Sequence, residues 1–246
     1  MGSLALGYGL ACYLAFLASF AYLVGFVGDF GVPRSVSAGS AGRPGTALLV
    51  DLALLALFGL QHSLMARPGF KRAWARIVPP ALERSTYVLC SSLALVLLFR
   101  CWRTLPGTVW NFQSPVLRLA AWAGFGAGIA LALVSTFLIS HADLFGLRQV
   151  WFRFRRRPYR EPEFRLSAVY ARTRHPLMLG FLVAFWAAPR MTLGHLVFAA
   201  GASFYILVGT ILEERDLLRE LGPGYAAYRR QVPRFFPAPW RRGGKG

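Results

Sequence analysis

Ionisable side chains cluster directly after a long apolar stretch, in the segment SHADLFGLRQVW at residues 140–151. The segment places His141, Asp143, Arg148 and Gln149 within about three helical turns. A base, an acid, a cation and an amide this close together can bind a polar ligand and move a proton. The alternative is a capped helix end with an arginine at the membrane interface. We favour a site, because the Phe-Gly pair inside the segment permits a close backbone approach.

A second candidate site combines a basic turn with a group of acids. The stretch RHPLMLG, residues 174–180, ends an arginine-rich loop and opens an apolar run. Its arginine and histidine either anchor the membrane interface or form the rim of a cavity. Where the last apolar segment ends, four acids bunch together: Glu213, Glu214, Asp216 and Glu220. Such carboxylates either receive hydroxyl or cationic groups of a ligand, or pair with the arginines of the preceding loop.

Further polar residues lie inside apolar segments, where they are costly. Asp51 and His62 share a helix face but lie about three turns apart, so we expect no contact between them. Gln61 and His62 either form hydrogen bonds between helices or belong to a site, and the sequence leaves both possibilities open. His195 opens the last apolar segment, away from the basic loops, and we expect a structural role.

The composition is that of an integral membrane protein. Of the 246 residues, 56% are hydrophobic and 15% are charged, which is too apolar for an ordinary soluble domain. The net charge of +18 comes with no recognisable nucleic-acid-binding module, so we expect no nucleic acid partner. The three cysteines have no metal-ligand spacing, which argues against a metal centre and against a disulfide framework.

Apolar segments and basic loops alternate along the chain. The segments are residues 3–28, 46–66, 85–103, 116–140, 176–189 and 192–212. Basic loops mark the cytoplasmic side, so six crossings with both termini in the cytoplasm are predicted, the first being a retained helix. The fifth segment is too short to cross about 30 Å as a helix. We predict an all-α integral membrane protein, a bundle of five to six transmembrane helices with a C-terminal helical hairpin.

Several of these elements recur together in a known family. RHPLMLG, the short hairpin and the tail EERDLLRELGPGYAAYRRQVPRFFP resemble the isoprenylcysteine carboxyl methyltransferase-like and NnrU-like membrane methyltransferases, which use S-adenosylmethionine. Upstream, QHSLMARPGFKRAW, ERSTYVL and SHADLFGLRQVW resemble more closely a bacterial branch of this family that methylates methanethiol to dimethyl sulfide. The resemblance covers about residues 50 to 237 and implies S-adenosylhomocysteine as the by-product.

The resemblance implies a cofactor pocket facing the cytoplasm, formed by the loop before RHP, the RHP turn and the C-terminal helix. The residues implied for the cofactor are Gln149, Phe164, Arg165, Tyr170, Arg174, His175, Pro176, Leu177, Met178, Glu213 and Tyr225. We expect one membrane domain, with four helices in 1–140, a catalytic core in 141–237 and a flexible tail in 238–246. Met178 stands where the family often has tyrosine. Gly209 stands where the prenylcysteine enzymes have an arginine for the substrate carboxylate, which suits a substrate without one.

The thiolate is the nucleophile in methylation of a thiol, so the thiol must lose its proton. We predict His141 as the base or proton relay, Asp143 as the group that orients it, and Arg148 as a stabiliser of the thiolate. The expected partners are a small volatile thiol entering from the lipid and the membrane itself, with no obligate protein partner. The resemblance implies the inner membrane of a bacterium.

Three alternatives remain open at this stage. A methyltransferase of this family could act on another acceptor, a prenylcysteine carboxylate or a phospholipid amine. A sterol-reductase-like membrane enzyme shares an RHP-type turn and a similar tail but uses NADPH. A small transporter with Asp51 and His62 on a proton path would use neither cofactor.

Overall fold

The computed structural model describes residues 2–161 and 167–236. Nine helices lie within these residues, and short strands connect some of them. The helices are α1 (Gly2–Gly28), α2 (Pro44–Ala66), α3 (Pro68–Trp74), α4 (Pro80–Cys101), α5 (Pro115–Ile139), α6 (His141–Leu144), α7 (Leu147–Phe154), α8 (Pro176–Trp186) and α9 (Leu193–Gln231). The strands are β1 (Ser40–Ala41), β2 (Arg103–Thr104), β3 (Thr108–Asn111) and β4 (Arg190–Thr192).

Five helices of the described chain are long and apolar enough to cross a membrane: α1, α2, α4, α5 and α9. This confirms the predicted all-α integral membrane protein. Helices α2, α4, α5 and α8 each begin with a proline. Proline suits the first turn of a helix, because its missing N–H would have no partner there and its φ angle is already helical.

The short segment predicted between the fourth and sixth crossings is helix α8, which has 11 residues. At about 1.5 Å per residue it is only about 16 Å long. The chain then continues in extended form, and β4 pairs antiparallel with β3, with Thr108 opposite Thr192 and Asn111 opposite Arg190. The hairpin of α8 and α9 is therefore confirmed, and its tip is held by strand pairing.

Two glycines bring α8 against α5. A Cβ atom on Gly128 would lie 2.6 Å from the carbonyl oxygen of Gly180, and one on Gly180 would lie 2.5 Å from the carbonyl oxygen of Gly128. The two backbones are thus in direct contact. Small residues permit such close helix packing in membranes, where van der Waals contact is a main source of helix association. This contact fixes the position of α8, and with it the turn that precedes α8.

Helix α9 is long because it continues past its apolar part. It bends at Gly222, where φ is 58° and Pro223 follows. A positive φ costs glycine little, so the chain can turn here and start a second helical piece that ends at Gln231. The Gly-Pro-Gly sequence at 222–224 therefore separates the apolar part of α9 from its last helical piece.

The two ends of the bundle differ in their polar contacts. At the end formed by β1 to β4, Asp51 Oδ1 accepts a hydrogen bond of 2.9 Å from the backbone N–H of Arg103. The N–H of His195 donates to Thr192 Oγ1, and its Nε2 lies 2.9 Å from the Phe185 carbonyl oxygen. These contacts agree with a structural role for His195. We call the opposite end, which carries α3, α7, the RHP turn and the end of α9, the arginine-rich end.

Candidate functional site

A buried carboxylate lies at the centre of the arginine-rich end. Glu214, on α9, has only 2% of its side chain exposed. Its Oε1 accepts hydrogen bonds from Arg174 Nε at 2.9 Å and Arg174 Nη2 at 2.7 Å. Its Oε2 accepts one from Arg234 Nη2 at 2.8 Å, and His175 Nε2 lies 3.1 Å from Oε1. We call these four residues, Arg174, His175, Glu214 and Arg234, the Glu214 clamp.

The backbone around the clamp is tied together as well. The N–H groups of Arg174 and His175 donate to the carbonyl oxygens of Pro233 and Arg234, at 3.0 and 3.2 Å. Tyr228 donates its hydroxyl to the Tyr170 carbonyl oxygen at 2.7 Å. The segment after α9 therefore lies along the RHP turn. This explains why a break at Gly222 and a short second helical piece are needed, since they return the chain to the turn.

Most N–H donors of the Arg174 guanidinium are used in hydrogen bonds within the protein. Its Nη1 group donates to the carbonyl oxygens of Arg229 and Val232, in addition to the two bonds to Glu214. A guanidinium has five N–H donors, and four hydrogen bonds are already made within the protein. We infer that Arg174 holds the turn in place. Its predicted direct contact with a cofactor stays a prediction.

Glu213 differs from its neighbour Glu214. Half of its side chain is exposed, and within ion-pair distance among the described residues it meets only the His175 ring, with Oε2 3.8 Å from Nδ1. Burial, followed by the negative charge of Glu213, raises the pKa of Tyr170, so this hydroxyl stays protonated. Glu213 is thus a half-exposed carboxylate beside the His175 ring that is available to a ligand.

Other predicted cofactor residues are buried or half-buried near the start of α8 and the end of α9. Tyr225 is buried, and its ring centroid lies 5.9 Å from that of Tyr228. Pro176 is buried at the first turn of α8, and Leu177 is half-buried beside it. Met178, at the position where the family often has tyrosine, packs against the apolar core. Its thioether therefore fills space between helices.

His141, predicted as the base, lies on the other side of the bundle, next to α1. Its Nε2 is 2.8 Å from the Tyr13 hydroxyl and its Nδ1 is 2.8 Å from Thr136 Oγ1. Its ring stacks on Phe137 at a centroid distance of 4.3 Å. The expected orientation by Asp143 is not observed, because Tyr13 and Thr136 occupy both ring nitrogens. Burial lowers the pKa of His141, so the ring is neutral at pH 7.

Asp143 and Arg148 make contacts of their own. Asp143 Oδ1 accepts hydrogen bonds from the Tyr159 hydroxyl at 2.6 Å and from Gln149 Nε2 at 3.2 Å. Arg148 Nε lies 3.7 Å from the same oxygen, and its Nη2 donates to the Arg160 carbonyl oxygen. These residues fix the segment after α6 to the loop that follows α7. The catalytic roles of His141, Asp143 and Arg148 stay predictions.

A cavity of about 720 Å³ opens beside Asp143. Its lining includes Lys71, Arg84, Asp143, Gln149, Tyr159 and Glu161. His175 and Glu213 are not among its described lining residues. The residues predicted for the site therefore divide between two places. Tyr170, the clamp and Glu213 come together near α9, whereas His141, Asp143, Arg148 and Gln149 lie near α1 and α7.

Sequence reasoning missed several residues of this region. Glu214 was one of four acids predicted either to receive groups of a ligand or to pair with loop arginines, and the structure shows it paired with Arg174. The sequence did not predict a role for Arg234, because nothing around it indicates a contact with a residue 20 positions earlier. Phe164 and Arg165 lie outside the described residues, as does the predicted flexible tail 238–246.

The region around Glu213 fits a cationic cofactor. A half-exposed carboxylate stabilises positive charge through Coulomb attraction. S-adenosylmethionine carries a sulfonium and an ammonium group. The buried Glu214 cannot serve in the same way, because its oxygens already receive hydrogen bonds from two arginines.

Comparison with known proteins places the chain in a family. The profile described as NnrU protein matches residues 50–219, which is more than half of the sequence. The chain belongs to the NnrU family. The matched region contains most of α2, all of α4 and α5, the RHP turn, α8 and most of α9, and it includes both Glu213 and Glu214.

Several curated relatives match this NnrU-family chain along almost its whole length. It is 54% identical to a protein named methanethiol S-methyltransferase from Mycobacterium tuberculosis, over 95% of this chain and 96% of that protein. It is 50% identical to methanethiol S-methyltransferase 2 of Bradyrhizobium diazoefficiens, over 94% of this chain and 88% of that protein. Nurim of Xenopus laevis is 29% identical over 92% of this chain and 84% of its own length. No solved structure matches the chain.

Proposed function

We propose that this protein is a methanethiol S-methyltransferase, which transfers a methyl group from S-adenosylmethionine to methanethiol and produces dimethyl sulfide and S-adenosylhomocysteine. The observation that carries the proposal is the 54% identity along nearly the full length of a relative with that name. The half-exposed Glu213 beside His175 supports it, since such a carboxylate next to a fixed turn can bind a cation.

S-adenosylmethionine supplies an electrophilic methyl group on a sulfonium. Glu213, Tyr170, Tyr225 and the ring of His175 would hold it at the arginine-rich end. The Glu214 clamp keeps the RHP turn and the segment after α9 in one arrangement, so these side chains need not reorganise on binding. Pre-organisation of this kind reduces the entropic cost of bringing two reactants together.

The acceptor is proposed to be a small thiol. Gly209 provides no charged group at the position where prenylcysteine enzymes have an arginine, and among the described residues no atom lies within 4 Å of where its Cβ would be. A substrate with no carboxylate needs no such partner. Methanethiol is small and apolar, so it can reach a site between helices from the lipid phase.

The arginine-rich end is proposed to face the cytoplasm. Lysine and arginine are enriched in loops on the cytoplasmic side, and α3, α7 and the segments around them carry many of the arginines. Both termini are then cytoplasmic, and the site opens where S-adenosylmethionine is made. The membrane would be the inner membrane of a bacterium.

Headspace gas chromatography tests the proposal. Purified protein supplied with S-adenosylmethionine and methanethiol is expected to release dimethyl sulfide, and cells expressing the chain should do the same. A matched control is Tyr22→Phe, which removes a hydroxyl that donates to the Arg34 carbonyl oxygen, away from the proposed site. Methylation of a prenylcysteine or a phospholipid amine without dimethyl sulfide, or binding of NADPH in place of S-adenosylmethionine, would overturn the proposal.

A further inference from the structure

A histidine, a tyrosine and a serine form a polar group between α2 and α4. His62 Nε2 lies 2.7 Å from the Tyr87 hydroxyl, and His62 Nδ1 lies 3.0 Å from Ser91 Oγ. The ring of Tyr205, from α9, lies 6.3 Å from that of His62, edge to face. His62, Tyr87 and Tyr205 are each half-buried, so part of each side chain is exposed. Neither the Glu214 clamp nor the proposed cofactor residues include this group.

The hydrogen bonds determine where the protons are. Ser91 donates its hydroxyl proton to the Tyr87 carbonyl oxygen at 3.0 Å. Ser91 Oγ can then only accept from His62, so His62 Nδ1 carries the ring proton. His62 Nε2 is left as an acceptor, and Tyr87 donates its hydroxyl to it. Ser91 thus sets the tautomer that makes His62 a base towards Tyr87.

This group lies next to the proposed cofactor region. Tyr205 lies on α9, eight residues before Glu213. Arg67, which directly follows α2 and lies five residues after His62, donates to Asp216 Oδ2 of α9 at 2.6 Å, three residues after Glu213. On the other side, the guanidinium carbon of Arg84 lies 5.5 Å from the centre of the Tyr87 ring, and Arg84 also lines the cavity beside Asp143. Tyr87 therefore lies between the two places where the predicted site residues gather.

A second histidine–tyrosine pair has the same chemistry but a different location. Thr136 donates to the Leu133 carbonyl oxygen at 2.7 Å and so can only accept from His141, which then accepts from Tyr13. This pair faces α1, and His141 is stacked on Phe137. On α4, Thr86 contacts Tyr8 of α1, whereas the next residue, Tyr87, contacts His62 of α2. Of the two pairs, Tyr87–His62 lies against Tyr205 of α9, the helix that carries Glu213.

We propose that Tyr87 and His62 remove the proton of the thiol during methyl transfer, an inference that rests on the proposed function. The thiol proton passes to the Tyr87 oxygen as Tyr87 passes its own proton to His62 Nε2. The thiol sulfur forms a bond to the methyl carbon, and the carbon–sulfur bond of the sulfonium breaks, with its electron pair left on S-adenosylhomocysteine. His62 ends as the imidazolium, which releases its proton to water.

Tyr87→Phe and His62→Gln test the relay, with Tyr22→Phe as the matched hydroxyl control. Loss of a general base typically lowers the rate by about 100-fold near neutral pH. We expect this loss in kcat/KM for methanethiol in both variants. The loss should shrink as the pH rises towards the pKa of the thiol, because solvent then supplies the thiolate. S-adenosylhomocysteine binding by calorimetry should match that of the wild type, and so should the Tyr22→Phe activity.

A role in folding alone gives a different pattern, with a loss that is the same at every pH or weaker binding of S-adenosylhomocysteine. Either result would overturn the relay, as would a pH-dependent loss confined to Tyr13→Phe and His141→Gln. A second readout does not depend on turnover. In ¹⁵N NMR of histidine-labelled protein, His62 should be protonated on Nδ1, and Ser91→Ala should change the tautomer population. A wild-type protein that releases no dimethyl sulfide contradicts the proposed function, whereas an active wild type with unaffected variants contradicts only the relay.

Discussion

Glu213 and Glu214 are neighbours in the chain, yet their carboxylates have opposite environments. Glu214 is almost fully buried and receives hydrogen bonds from Arg174 and Arg234, whereas half of the Glu213 side chain is exposed near His175. Successive residues of a helix point about 100° apart, so two adjacent acids can serve two purposes. One holds the RHP turn to the end of the chain, and the other is available to a ligand.

This difference predicts that the same substitution, glutamate to glutamine, lowers stability at one position and ligand binding at the other. Glu214→Gln leaves the charges of Arg174 and Arg234 without a partner, and breaking a buried ion pair in this way costs about 3 kcal/mol or more. We expect a large decrease in Tm in detergent. Glu213→Gln should leave Tm nearly unchanged and weaken S-adenosylmethionine binding at least 10-fold, as measured by calorimetry. Equal effects of the two substitutions on Tm would contradict the assignment.

The close contact between α5 and α8 predicts that a larger residue at Gly128 lowers stability, and Gly126 on the same helix provides a control. Gly128→Ala places a methyl group 2.6 Å from the Gly180 carbonyl oxygen, so the helices must move apart. Overpacking of this kind costs about 1–3 kcal/mol, and it shifts the RHP turn at the start of α8. Gly126→Ala, two residues away on α5, meets no atom within 4 Å among the described residues. We expect Gly128→Ala to have a lower Tm and a lower activity, and Gly126→Ala to match the wild type in both.

Arg174→Lys retains the charge but not the fork of donors. Lysine cannot reach both Glu214 and the carbonyl oxygens of Arg229 and Val232, because its three donors radiate from one nitrogen. We expect a lower Tm and a higher KM for S-adenosylmethionine, both measured at fixed pH. Arg219→Lys is the control, since the Arg219 side chain is 81% exposed and makes one ion pair with Asp216. A change of similar size in the control would show that the loss is not specific to the clamp.

The environment of His141 predicts how stability depends on pH. In the unfolded chain His141 takes up a proton near its ordinary pKa of 6.5, whereas burial lowers the pKa in the folded protein. The unfolded state therefore binds more protons as the pH falls below that value, and the folded state loses stability. We expect the Tm of the wild type to decrease between about pH 7 and about pH 5, and His141→Gln to decrease less. Parallel curves for the two proteins would contradict this explanation.

Much of the fold could be read from local sequence. Long apolar stretches predict membrane helices, because about 20 apolar residues are needed to cross the hydrocarbon. The fifth apolar segment, too short to cross the membrane as a helix, predicted the hairpin. The close packing of Gly128 on Gly180 was not predicted, since a glycine inside an apolar helix does not reveal which neighbour it faces.

The candidate site was only partly predictable. The motifs identified the RHP turn, Tyr170 and Glu213, because the family pattern is continuous in sequence there. The orientation of His141 by Asp143 was inferred from their spacing, but the ring contacts Tyr13, which is 128 positions away. The pairing of His62 with Tyr87 was also invisible, since it joins two helices whose relative rotation the sequence does not state.

The sequence by itself determined that this is a membrane-spanning bundle of the NnrU family, because hydrophobicity and motif order are local properties. Only the tertiary structure decided which acid is buried, which histidine lies near Glu213, and which arginines bind the buried acid. These choices depend on how helices rotate and approach one another, and a contact such as that between Gly128 and Gly180 sets that geometry. The chemistry of each polar side chain follows from its partner, and the partners come from distant parts of the chain.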